Sequence, residues 1–107
     1  IRDRNYSGVS MKDMNLEHAY LPGCNLSHSD LSGSRLKGAC LQGADLTGAN
    51  LTNTNLYWAN LHGANLTNCN LSGADLRGAN MKYARIVGTN LIGSLTDSAD
   101  FTNSITH

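Results

Sequence analysis

The chain predicts an all-β solenoid whose backbone turns a corner every five residues, and three observations carry that prediction. Counting from Tyr6 in steps of five gives Tyr, Met, then Leu at every step from Leu16 to Leu76, then Met81, Ile86 and Leu91, eighteen consecutive apolar residues without a miss. Two positions before each of them, from Ala19 to Ser104, the residue is always Ala, Ser, Cys or Thr. All eleven glycines, from Gly8 to Gly93, fall two positions after the apolar residue.

Each position of the repeat has a physical reason. Neither a helix of period 3.6 nor a flat strand of period 2 repeats every five residues, but a chain that bends at every fifth does. The small residue and the leucine, two apart, point to one side of a short extended segment. The glycine, or an Asn or Asp in its place, supplies the corner where positive φ is wanted. Between small residue and leucine stands a polar residue, usually Asn or Asp, as at Asn50, Asn55, Asn60, Asn65, Asn70 and Asp75. Four corners close a coil of about twenty residues, and coils stack at the ~4.8 Å spacing of paired strands. About five coils make a rod roughly 25 Å long, with leucine on leucine along its axis.

These residues, unbroken in GADLTGANLTNTNL (43 to 56), resemble the A(D/N)LXX motif of the pentapeptide-repeat family. The resemblance covers nearly the whole chain. It implies a right-handed quadrilateral parallel β-helix, and one domain spanning residues 1–107. Of function it implies little. Such proteins abound in cyanobacteria and occur in plant thylakoid lumens, mostly without an established activity, while a minority mimic DNA and shield or inhibit DNA gyrase.

Departures from the motif gather at the ends. Arg4, Val9 and Met14 occupy the small position, which predicts a wider or irregular N-terminal coil over residues 1–15. Near the other end Leu95 falls one place early while Thr96 takes a leucine position, and Ile105 and Thr106 repeat the fault. A one-residue slip turns an inward side chain outward, so a distortion is expected around 94–98 within an irregular end, 94–107. Solenoid ends need covering, and neither end carries a helix pattern for it. Another domain, end-to-end self-association or the frayed repeats themselves would cover them.

Composition narrows the function classes. Eight basic and eight acidic residues cancel. That argues against a nucleic-acid partner, which needs clustered Lys and Arg, and against a DNA-mimicking regulator of a type II topoisomerase, which needs rows of carboxylates. No apolar run approaches the ~20 residues that cross a membrane, so no membrane insertion is expected. Cys24, Cys40 and Cys69 make an odd number without CxxC, and read as small buried residues. Five N-x-S/T sequons arise from the repeat itself, and glycans on such closely stacked coils would crowd. A cytoplasmic location is favoured, with a thylakoid lumen the alternative that the resemblance adds. The chain starts at Ile1, as expected of a processed product or a segment of something longer.

Catalysis finds no support. The histidines His18, His28, His62 and His107 fall in different columns or coils, and Cys24 points inward where His28 points outward, so no metal site is expected. Outward Ser and Thr lack a base and an orienting partner, and a filled rod lacks a cleft. No cofactor is expected, and the Thr array is too broken for ice or polysaccharide binding.

One feature stands out. In NLYWANL (55 to 61) the sole tryptophan takes a corner position where neighbouring repeats carry glycine. With a twenty-residue coil, Trp58 stacks between Gly38 and Gly78, His28 between Gly8 and Gly48, His18 against Gly38 and Tyr83 against Gly63. These rings are expected to lie over bare glycine backbone. Tyr57 stands in a second column, Glu17, Lys37, Tyr57, Arg77, Asp97, a ring between two cations. Packing alone accounts for both residues. The functional reading is a candidate protein-binding patch of Lys37, Tyr57, Trp58 and Arg77, since Tyr, Trp and Arg are the residue types enriched at binding hot spots. A non-enzymatic structural or interaction module with an unidentified protein partner is the expectation that follows.

Overall fold

The structure, a computed structural model, describes residues 4–107. Parallel bridges join residues twenty apart in an unbroken series, from Asn5↔Asn25 through Asn55↔Asp75 to Arg85↔Ile105. Twenty residues therefore make one coil. Four positive-φ corners fall in each coil, as at Asn53, Trp58, Gly63 and Asn68. The described residues measure 32 × 25 × 22 Å along their principal axes.

One pentapeptide, Ser34 to Gly38, shows how the sequence dictates this path. The Leu36 N–H donates to the Asn55 carbonyl one coil on at 2.7 Å, and the Gly38 N–H to the Tyr57 carbonyl at 2.9 Å. The next small residue, Ala39, closes the corner by donating its N–H to the Leu36 carbonyl at 2.9 Å. The polar residue bonds backwards, Arg35 N–H to the Met14 carbonyl at 2.9 Å. Only the outward residue's N–H then lacks a backbone acceptor, and Asn or Asp at the polar position supplies one. Asn55 Oδ1 accepts from the Tyr57 N–H at 3.0 Å, and Asn60 Oδ1 does the same for His62. Such local bonds are the reason Asn and Asp recur there.

The sole proline obeys the same logic. Tyr20 holds the polar position and cannot accept such a bond, and Pro22 follows it with no N–H to satisfy. Pro22-Gly23 is also a favoured pair for the middle of a turn.

Inside, Leu26 to Leu76, Met81 and the alanines between them are fully buried in one core. Polar members of the small column stay satisfied there. Ser29, Ser34 and Thr54 donate to the carbonyls of Leu26, Leu31 and Leu51 at 2.6, 2.6 and 2.9 Å.

The ends depart from expectation. Residues 1–3 of the N-terminal coil lie outside the described residues. From Arg4 onward the bridges and turns keep their pattern, as they do across 94–98. The irregularity sits in side chains, not in the chain path. Val9 and Met14 are each 42% exposed, since among the described residues nothing stacks in front of them. Leu95 bridges Asp75 in register and points out, 50% exposed, because the twenty-residue ladder fixes which face each residue takes.

Cys40 is a second correction. Cys24 and Cys69 are buried as expected, but Cys40 stands in the polar column and is partly exposed. Burial pushes the Cys69 thiol up to about 12.

Candidate interaction site

The column of Glu17, Lys37, Tyr57, Arg77 and Asp97 runs up one flat face, and Trp58 marks the corner beside it. The ladder places Tyr57 between two cations. Lys37 Nζ lies 5.7 Å and Arg77 Cζ 5.5 Å from the centre of its ring. The four residues expected to form a patch thus come together, with Trp58 edge-on to Tyr57 at 5.9 Å and 89° between the ring planes.

Charge pairing along the column differs from simple alternation. Among the described residues Lys37 forms no ion pair with Glu17, nor Arg77 with Asp97. Arg77 turns instead to the polar position of its own repeat. Its Nε donates to Asp75 Oδ1 at 2.9 Å and its Nη2 to Oδ2 at 2.8 Å, while its backbone N–H also reaches Oδ1 at 3.1 Å. These bonds hold the Asp75 carboxyl below the usual carboxylate range and raise Arg77. The spacing of two, which sets every Asn-to-backbone bond in the fold, could have signalled this fork in the sequence.

The corner rings follow a directional rule that sequence stacking alone did not give. His18, His28 and Trp58 each lean toward the coil that follows, not the one before. A Cβ placed on Gly78 would lie 2.8 Å from Cδ2 and Cε2 of Trp58, whereas Gly38 is covered by His18 and Gly48 by His28. Gly8 and Gly63 have nothing over them. Tyr83 therefore does not cover Gly63. It leans against His62, with ring centres 5.4 Å apart.

Trp58 packs on Gly78 and still leaves 60% of its surface in solvent. Its φ of +58° is a conformation that bulky residues avoid. Beside it opens a cleft of about 190 Å³ lined by Tyr57, Trp58, Arg77, Gly78, Asp97 and Ser98. Asp97 and Ser98, two coils beyond the aromatic pair and one beyond Arg77 and Gly78, are the lining residues that sequence reasoning left out of the patch. Among the described residues no cluster of His, Cys, Asp and Glu could hold a metal ion, and no helix is long and apolar enough to cross a membrane.

Comparison with known proteins places this geometry. A search of curated protein sequences finds no significant match. Among solved structures, a pentapeptide repeat protein from the Arabidopsis thaliana thylakoid lumen shares the fold at 24% identity and a TM-score of 0.58, over 92% of this chain and 61% of that one. The pentapeptide repeat protein Rfr23 from the cyanobacterium Cyanothece 51142 is 28% identical with a TM-score of 0.52, over 97% of this chain and 92% of its own. QnrB1, a plasmid-mediated fluoroquinolone resistance protein, aligns at 19% identity and a TM-score of 0.57, over 94% of this chain and 58% of that one. The chain thus spans about three fifths of the first and third of these proteins. The pentapeptide repeats model, in 8 copies, matches residues 10–48, 29–68 and 59–95. With most of its length matched and every repeat position accounted for by the ladder, the chain belongs to the pentapeptide-repeat family.

Proposed function

We propose that the protein is a non-enzymatic interaction module: a right-handed quadrilateral β-helix of about five coils, forming one domain, that docks a protein partner on Lys37, Tyr57, Trp58 and Arg77. The observation that carries this reading is Trp58 itself. A left-handed backbone costs a residue with a side chain about 1–2 kcal/mol, and glycine fills that position in both adjacent coils. The ring's cover over Gly78 offsets part of that cost, yet 60% of the side chain stays in water. A strained, exposed aromatic beside an exposed cation pair is the composition of a hot spot. The coil beneath is rigid, so docking loses little conformational entropy.

DNA mimicry lacks such support. Among the described residues no two acidic side chains stack one coil apart, as a row of phosphate-like charges requires. End-to-end self-association is a second mode of the same module, favoured by Val9 and Met14 at one end and Leu95 and Ile105 at the other, all at least 41% exposed.

Affinity capture from a lysate of the source cells, with wild type, Trp58→Ser and Thr52→Ala on another face, tests the docking surface. Loss of a captured protein with the Trp58 variant alone is the expected result. Identical captures by all three, at equal melting temperature, overturn it.

A further inference from the structure

We infer that the cleft beside Trp58 takes a cationic side chain, a lysine or arginine on an exposed segment of the partner protein, with the indole as platform and Asp97 as counter-charge. The inference rests on the docking reading above and adds the partner's chemistry.

The charges around the cleft point that way. Arg77 is already matched, its guanidinium forked onto Asp75 by bonds of 2.9 and 2.8 Å. Lys37 lies against Tyr57 and does not line the cleft. Asp97 does line it, and among the described residues its carboxylate has no hydrogen bond or ion pair. The reason is positional. Asp30, Asp45, Asp75 and Asp100 occupy the polar position and accept from the N–H two residues on. Asp97 occupies the outward position, where no such donor follows. The cleft is therefore lined by a guanidinium already paired with Asp75 outside it, and by a carboxylate that feels Arg77 only at longer range and, among the described residues, has no hydrogen bond or salt bridge of its own.

The aromatic pair fits the same occupant. Tyr57 already carries Lys37 and Arg77 near its ring, so the indole is the aromatic surface left open. Among side-chain rings indole attracts cations best. An anionic side chain would meet Asp97 and find the Arg77 fork taken. A neutral apolar one would cover the indole but strip water from an unpaired carboxylate.

The test uses acetylated, amidated pentapeptides Gly-Ser-Xaa-Ser-Gly, with Xaa Arg, Lys, Glu or Leu, titrated into the ¹⁵N-labelled full chain. The Arg and Lys peptides should shift the Trp58 indole N–H and the Gly78 and Ser98 amides saturably, and less so as salt is raised. Asp97→Asn should weaken them about two- to fivefold, as loss of one exposed charge pair implies, and Asp100→Asn on another face should not. A Glu or Leu peptide that binds as tightly, an unchanged affinity in Asp97→Asn, or no saturable shift with Arg or Lys would each overturn the inference. If those peptides fail while Trp58→Ser still loses its captured protein, the cation inference falls alone and docking stands. If the capture does not change while the Arg and Lys peptides bind through Asp97, the cation site stands and protein docking falls.

Discussion

At the scale of single residues, the corner position decides what the fold tolerates. Eleven corners are glycine with φ between +66° and +74°, and nine others hold a side chain at φ near +60°. Substituting Gly63, which has open space around it, should cost only the backbone preference, about 1–2 kcal/mol on Gly63→Ala. Gly78→Ala should cost more, because its new Cβ meets the Trp58 ring at 2.8 Å. Urea denaturation of both variants, with and without Trp58→Ser, checks this: in the Trp58→Ser background the two costs should converge. If they stay apart, the ring does not rest on Gly78. A second prediction concerns the polar position. Asn65 Oδ1 accepts from the Thr67 N–H at 3.1 Å and from its hydroxyl at 2.6 Å. Asn65→Ala should therefore cost about 0.5–1.5 kcal/mol, whereas Asn65→Asp, which keeps the acceptor, should cost much less in the same assay.

At the scale of the repeat, almost everything was legible in the sequence, because one period assigns every residue a direction. The leucine and small columns are buried from Cys24 to Ala84 as the five-residue spacing requires. Two things were not legible. Which way a corner ring leans depends on side-chain torsions that the repeat leaves open, so Tyr83, expected over Gly63, meets His62 instead. The fault at Leu95 and Thr96 looks like a register slip in the sequence, but two backbone bonds to the preceding coil outweigh one misplaced leucine. Leu95 N–H donates to the Ala74 carbonyl at 2.9 Å, and its own carbonyl accepts from the Leu76 N–H at 2.7 Å. The patch was half legible: stacking by twenty brought Lys37, Tyr57 and Arg77 together, but not the fork onto Asp75 or the cleft reaching Asp97. The inward assignment also sets a stability prediction. Leu61→Ala should cost about 2–5 kcal/mol by leaving a cavity, and Ala64→Leu about 1–3 kcal/mol by overpacking. Both are read as shifts in the denaturation midpoint, and an unchanged Ala64→Leu would mean that the small column does not face inward.

At the scale of the molecule, a stack of coils is quasi-one-dimensional: each coil touches only its neighbours, so stability is local and additive along the axis. Burial is uneven in the way this implies. Leucines from Leu26 to Leu76 are 0–1% exposed, while Met11, Leu16, Leu21, Ile86, Leu91 and Phe101 pack on the core only in part. The end coils therefore gain less apolar burial for the same backbone entropy, and should open first. Native-state hydrogen exchange reads this directly, since protection reports the free energy of the smallest opening that frees each amide. Protection should peak at the amides of Leu46, Leu51, Leu56, Leu61 and Leu66, all bonded at 2.7–2.8 Å to the following coil. It should fall off toward Tyr6 and Met11 on one side and Leu95 and Ile105 on the other, although their amides are bonded at a similar 2.7–2.9 Å in the structure. The contrast is informative because bond geometry and burial predict different profiles. A flat profile would mean that the stack opens only as a whole, and that the exposed apolar side chains at its ends carry cover of their own. A profile that flattens only as protein concentration rises would identify that cover as a second copy of the chain, and a peak that tracks burial at every concentration would leave the face bearing Trp58 as the surface on which this protein meets others.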